Sequence, residues 1–277
     1  MKTKVIALWQ LSRPVNMFIG MLSIFLAAAI TGTVQPLRNV LLAVLSGGLI
    51  TAAANTINDF FDLAIDRVNK PYRPLPAGRL SPSLARKAAM LEFILGITLS
   101  AGINLPALMI AAIFSALLYF YSARLKRLPL WGNLTVSLAT AFAFIYGGVA
   151  VHRVEAAFYP ATFAFFFHLG REIIKDIQDI RGDSREKART FPLVYGIIPA
   201  LWLTTGVFIL LTVLTIWPYL SGYYQLPYML TVTVGIYPVL LYSLWQIWRD
   251  QSFAKMGLVS NLLKADMLVG LLAIYLG

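Results

Sequence analysis

The sequence contains no cysteine, which excludes disulfides and thiolate-bound metals. Two histidines, His152 and His168, are too few for a histidine-based metal centre. Charge is scarce as well. Asp, Glu, Lys and Arg make up 13% of the 277 residues, against roughly a quarter in soluble domains. With 59% hydrophobic residues, the chain has too little polar surface to cover a water-soluble core. The start, Met1-Lys2-Thr3-Lys4, is basic, but no small-residue cleavage pattern follows it.

The apolar residues come in long blocks. A helix of about 20 residues rises roughly 30 Å, the thickness of the hydrocarbon core of a bilayer. Nine blocks of this kind occur, at about 15–32, 39–58, 85–103, 105–122, 133–151, 156–175, 194–216, 226–247 and 258–276. Their length argues against a β-barrel, whose strands are about ten residues of alternating polarity. The expected fold is an all-α membrane protein of nine transmembrane helices.

Basic residues collect on the cytoplasmic side of membrane proteins. With nine spans, all of the 23 Lys and Arg residues except Arg38 and Arg153 fall in the N-terminus and every second loop after it. The N-terminus is therefore expected to be cytoplasmic, and the protein a multi-pass component of the cell membrane. This bias accounts for most of the net charge of +11, so no nucleic-acid partner is needed to explain it. Anionic lipid headgroups are the partners such loops attract.

Acidic residues are few, twelve in all, and most of them sit in two clusters at the cytoplasmic ends of spans. The first runs Asn55-Thr-Ile-Asn58-Asp59-Phe-Phe-Asp62-Leu-Ala-Ile-Asp66-Arg67. The second runs Arg171-Glu172-Ile-Ile-Lys175-Asp176-Ile-Gln-Asp179-Ile-Arg-Gly-Asp183. Asn55, Asp59, Asp62 and Asp66 stand at i, i+4, i+7 and i+11, and Glu172, Asp176, Asp179 and Asp183 repeat those offsets. On a helix each set makes one stripe. Rows of carboxylates repel one another and are costly near hydrocarbon. A divalent cation relieves both problems, and oxygen ligands shared with substrate phosphates suit Mg²⁺. Two such stripes imply a magnesium–diphosphate site, with Lys175, Arg67, Lys70, Arg73, Lys126 and Arg127 as further phosphate contacts. A solvated, mixed-charge helix end explains one such cluster, but not two with identical offsets.

These clusters resemble the two signature motifs of the UbiA superfamily of intramembrane prenyltransferases. Asn58-Asp59-x-x-Asp62-x-x-x-Asp66 matches the first motif, NDxxDxxxD, and Asp179-x-x-x-Asp183 matches the second. Asn69-Lys70-Pro71-Tyr72-Arg73-Pro74-Leu75-Pro76-Ala77-Gly78-Arg79 resembles the stretch that follows the first motif. Arg13-Pro14-x-Asn16, Tyr121-Ser-Ala-Arg124-Leu-Lys126-Arg127 and Gly132-Asn133 also look typical of the family. The likeness implies a single domain, 1–277, with nine helices around a central cavity. The two motifs, 55–66 and 171–183, would face each other at its cytoplasmic mouth, under cap loops 67–84 and 184–192.

The resemblance further implies Mg²⁺ held by Asn55, Asn58, Asp59, Asp62, Asp66, Asp176, Asp179 and Asp183. Asp59, Asp62, Asp179, Asp183, Lys175 and Tyr121 would be catalytic, with Tyr121 offering its ring face to an allylic cation. Arg13, Asn16, Arg67, Lys70, Arg73, Lys126 and Arg127 would contact the diphosphate or the acceptor. The substrates would be a prenyl diphosphate and a lipophilic acceptor. Lys175-Asp176-x-x-Asp179-x-x-Gly182-Asp183 and Ala188-Arg189-Thr190-Phe191-Pro192 look nearest the branch whose acceptor is geranylgeranylglyceryl phosphate. An aromatic acceptor remains open, and an ion-coupled transporter is the distant alternative. Glu172 is expected to pair with Lys175 or Arg171, and Glu92 with Lys87 or Arg86. His168, one turn before Glu172 on the same face, is either a substrate contact or a hydrogen-bonded core residue.

Overall fold

A computed structural model describes residues 2–185 and 188–277, so Lys187, inside the expected second cap loop 184–192, lies outside the described residues. The described residues are helical almost throughout. In chain order the helices are α1 (Lys2–Leu11), α2 (Pro14–Ala29), α3 (Leu37–Phe61), α4 (Leu63–Asn69), α5 (Pro82–Ala101), α6 (Leu105–Ala123) and α7 (Trp131–Ala150). They continue with α8 (Phe158–Arg185), α9 (Phe191–Tyr195), α10 (Ile197–Leu220), α11 (Leu226–Thr231), α12 (Tyr237–Arg249) and α13 (Phe253–Leu276). A π-helical turn, Val232–Ile236, joins α11 to α12.

Local chemistry sets several of these starts. Ser81 and Asn104 cap α5 and α6 by accepting hydrogen bonds from the backbone N–H groups of Leu84 and Ala107. Proline opens α2 and α5, where its missing N–H costs nothing. Among the described residues, six helices are long and apolar enough to cross a membrane, or up to seven if α1 and α2, bent by 54°, count as one span. Every apolar block of the sequence coincides with a long helical stretch. α5 carries Arg86, Lys87 and Glu92, and α8 ends in motif 2, so these two are less uniformly apolar than the six.

The chain divides into two compact units, Met1–Leu125 with Phe142–Ala157, and Lys126–Ala141 with Phe158–Gly277. Within the first, α3 packs against α2, α5 and α6. Ser46 of α3 donates to the Gly96 carbonyl of α5 at 2.7 Å, and Tyr146 of α7 donates to the Ser46 hydroxyl at 2.9 Å. Small residues make this closeness possible. A Cβ on Gly147 would stand 2.2 Å from the Ile24 carbonyl oxygen. Gly147→Ala is therefore expected to destabilise the protein by about 1–3 kcal/mol, as overpacking does, and to lower its thermal unfolding temperature in detergent.

Within the second unit, α8 packs against α10 and α13. Its core includes Phe167, Ile173, Ile177, Leu201, Phe208, Tyr228, Met256 and Leu263. Gly170 of α8 sits directly on the Phe208 ring, where a Cβ would come within 2.2 Å.

Candidate active site

In the first unit the acidic motif is not one straight stripe. α3 ends at Phe61, Asp62 takes a non-helical conformation (φ −89°, ψ 3°), and α4 begins at Leu63. Asn55, Asn58 and Asp59 stay on the last turns of α3, while Asp66 sits on α4. The break brings Asp59 and Asp66 onto a common cation. Arg73 Nη1 donates to Asp59 Oδ1 at 3.2 Å and to Asp66 Oδ2 at 2.7 Å. Arg13 Nη2 donates to the same Asp59 oxygen at 2.5 Å.

Arg13 reaches Asp59 from a left-handed backbone conformation (φ 51°) at the bend between α1 and α2. A side chain other than glycine rarely adopts it, and such strain gathers at functional sites. Burial pushes the Asp66 carboxyl above its ordinary range, outweighing the pull of Arg73 beside it. Burial works against the charge of Arg73 too, but Asp59 and Asp66 raise its affinity for the proton overall. The arginine therefore stays charged between its carboxylates.

Other expected residues of this unit are placed as follows. Asn58 donates to Asp62 at 3.0 Å, and Asn55 to the Ser12 carbonyl at 2.9 Å. Lys70 is half-buried and acts electrostatically on Asp66, whereas Arg67 is exposed. Asn16 lies half-buried on the first turn of α2, and Tyr121 half-buried near the end of α6. Glu92 departs from expectation. Its Oε2 is buried without a hydrogen-bond partner, not paired with Lys87 or Arg86, which are both exposed on the same helix.

In the second unit the stripe is unbroken, because α8 runs as one helix from Phe158 to Arg185. Asn133 of α7 donates to Asp176 at 2.9 Å. Glu172 accepts from Arg171 at 2.8 Å and from Lys175 at 3.1 Å, while Arg171 also donates to the Ser260 carbonyl of α13. Lys175 thus pairs with Glu172, and Asp179 is exposed. Lys126 and Arg127 lie in a short 3₁₀ turn, where the Arg127 carbonyl accepts from the Arg189 N–H at 2.8 Å. His168 is not the hydrogen-bonded core residue that one alternative expected, since both its ring nitrogens are buried without a partner. Asn133 is the contact that sequence reasoning left without a role. Its signal was an amide in the first turn of an otherwise apolar span.

Among the described residues no three Asp, Glu or His side chains are gathered tightly enough to ligate one metal ion. In the first unit arginines stand among the carboxylates, and Asp62 is turned to Asn58. The donor set nonetheless fits a hard divalent cation, being carboxylate and amide oxygen throughout. Asp59 and Asp66 already converge on one positive group, Arg73.

Long apolar helices define a multi-pass membrane protein, and each of its two units holds buried carboxylates with cationic or amide partners. Residues 17–261 match the UbiA prenyltransferase family, and the chain belongs to it. A protein of Methanopyrus kandleri described as digeranylgeranylglyceryl phosphate synthase is 37% identical over 264 residues, which are 95% of this chain and 96% of that one. A solved structure concerned with digeranylgeranylglyceryl phosphate synthase in membranes superposes with a TM-score of 0.81 at 30% identity, covering 100% of this chain and 99% of the other. A UbiA homologue from Archaeoglobus fulgidus, solved bound to DMAPP and Mg²⁺, shares the fold with a TM-score of 0.73 at 21% identity, covering 95% of this chain and 98% of that one.

Proposed function

We propose that this prenyltransferase moves a geranylgeranyl group from its diphosphate to the free hydroxyl of geranylgeranylglyceryl phosphate, with Mg²⁺ as cofactor. The convergence of Asp59 and Asp66 on Arg73 carries the reading, because it is a carboxylate pair arranged around a cation. The Methanopyrus kandleri relative, similar over nearly its whole length, supports the acceptor.

The full arrangement is proposed as follows. The chain is one domain, 1–277, of nine spans around a cavity, inserted in the cell membrane with its N-terminus in the cytoplasm. Motif 1 (55–66), with cap loop 67–84, and motif 2 (171–183), with cap loop 184–192, both serve the diphosphate on the cytoplasmic side. The basic residues of the two motifs and their loops lie on the side that the positive-inside bias assigns to the cytoplasm.

Asn55, Asn58, Asp59, Asp62 and Asp66 on one side, and Asp176, Asp179 and Asp183 on the other, would hold Mg²⁺. When bound, the metal supplies Lewis-acid relief of the charge that builds on the departing diphosphate. Arg13, Asn16, Arg67, Lys70, Arg73, Lys126, Arg127 and Lys175 add fixed positive or polar contacts to the same oxygens. On substrate binding, Arg73 and Arg13 exchange part of their hold on Asp59 for phosphate. The apolar helix faces exclude water from the allylic cation, and Tyr121 presents a ring face to it.

The test is incubation of purified protein with geranylgeranyl diphosphate, Mg²⁺ and a panel of acceptors. The expected product is digeranylgeranylglyceryl phosphate, formed in detergent where transport is impossible. Prenylation of an aromatic acceptor in its place would refute the choice of acceptor and leave the chemistry standing.

A further inference from the structure

We propose that His168 is the base that takes the proton from the acceptor hydroxyl, an assignment that rests on the function proposed above. His168 stands on α8 one turn before Glu172 and two before Asp176, at i, i+4 and i+8, so the three share a face. Gly170, on another side of α8, is packed against Phe208, and Arg171 is bonded to Ser260. The face of His168 is the one along which Asn133 meets Asp176. About 12 Å of helix rise separates His168 from Asp176, on the membrane side of the acidic residues.

Both ring nitrogens of His168 are buried, and neither has a hydrogen-bond partner among the described residues. A neutral imidazole always offers one donor and one acceptor, and buried polar groups are nearly always paired. Leaving both unpaired is poor construction for a core histidine and good construction for a group whose partner is substrate. Arg171, Glu172 and Lys175 all act electrostatically on the ring. Glu172 is already committed to Arg171 and Lys175, so it is not the free base, whereas His168 carries an unspent lone pair on that face.

The step balances without a further reactant. The bond between the first prenyl carbon and the diphosphate oxygen breaks, and its electron pair leaves with the diphosphate. The glycerol oxygen of the acceptor forms the new bond to that carbon. Its proton passes to the free nitrogen of His168, and from there to the released diphosphate.

The experiment compares the wild type with His168→Ala and His168→Gln, using geranylgeranyl diphosphate labelled with ¹⁸O in the bridging position. Transfer to geranylgeranylglyceryl phosphate is expected to fall about a hundredfold or more in both variants, the usual worth of a general base. The KM for the diphosphate and the rate of bridging-to-nonbridging ¹⁸O scrambling stay near wild type, because ionisation precedes proton removal. Added imidazole restores part of the transfer to His168→Ala. Transfer within about threefold of wild type, a difference of less than 1 kcal/mol, overturns the assignment. So does scrambling that falls in parallel with transfer, which marks a structural role. A wild type that never prenylates the glycerol ether contradicts the proposed function itself, and is told apart from these results by the wild-type assay alone.

Discussion

Asp59→Ala is expected to lower prenyl transfer about a thousandfold, the loss that follows removal of one well-placed electrostatic group from a water-excluded site. Asp59 is almost fully buried, and its Oδ1 accepts from both Arg13 and Arg73. Removing it takes away the carboxylate that Arg13 and Arg73 share and leaves Arg73 with Asp66. Part of the effect is therefore structural. Breaking a buried ion pair costs about 3–5 kcal/mol, and since Arg13 and Arg73 are 33% and 21% exposed, the lower end is the appropriate figure here. Asp59→Asn keeps the volume and a hydrogen-bond acceptor, so it should fold nearly as well as wild type while still losing most of the transfer. Folding is followed by thermal unfolding in detergent and transfer by product formation. An Asp59→Asn protein with full transfer would remove Asp59 from the proposed metal ligands.

Stripping divalent metal with a chelator is expected to reduce transfer to background, and adding Mg²⁺ to restore it. The carboxylates concerned lie at the boundary of an apolar helix bundle, where rows of negative charge are tolerated only with cations among them. Arg13 pairs with Asp59, and Arg73 with Asp59 and Asp66, so these carboxylates have cationic partners from the chain itself. The protein should therefore stay folded when stripped, with an unfolding temperature within a few degrees of the Mg²⁺ form until diphosphate is added. Ligand stabilisation scales with RT ln(1 + [L]/Kd), so diphosphate should raise the unfolding temperature only when Mg²⁺ is also present. Turnover that persists at wild-type rates in chelator would contradict the assignment of the acidic motifs.

Hydrophobic block length foretold the long helices well, since a membrane span is dictated by thickness and apolarity, and both are visible in composition. The spacing of the second acidic motif was legible for the same reason: α8 is continuous, so offsets of four and seven residues do mean one face. The first motif was legible as a set of residues but not as a shape. Nothing in the run Phe60-Phe61-Asp62-Leu63 signals that the helix breaks there, and there is no Gly or Pro to mark it. Across that break Asp59 and Asp66 share Arg73. The left-handed turn at Arg13 was hidden too, because Arg is not a residue that favours it. The partner of Asn133 and the unpaired state of the His168 imidazole are visible only with coordinates, since the sequence does not say which distant side chains meet.

Binding of one diphosphate by both acidic motifs is best tested by a double-mutant cycle. The ligand is a non-hydrolysable geranylgeranyl diphosphate analogue, titrated calorimetrically with Mg²⁺ into wild type, Asp59→Ala, Asp179→Ala and the double variant. If both carboxylates act on the same ligand, each single change should weaken binding about a hundredfold or more, and the double change should cost well short of the sum, as coupled groups do. Strictly additive losses, or an unaltered affinity in either single variant, would mean that the two motifs do not serve one site.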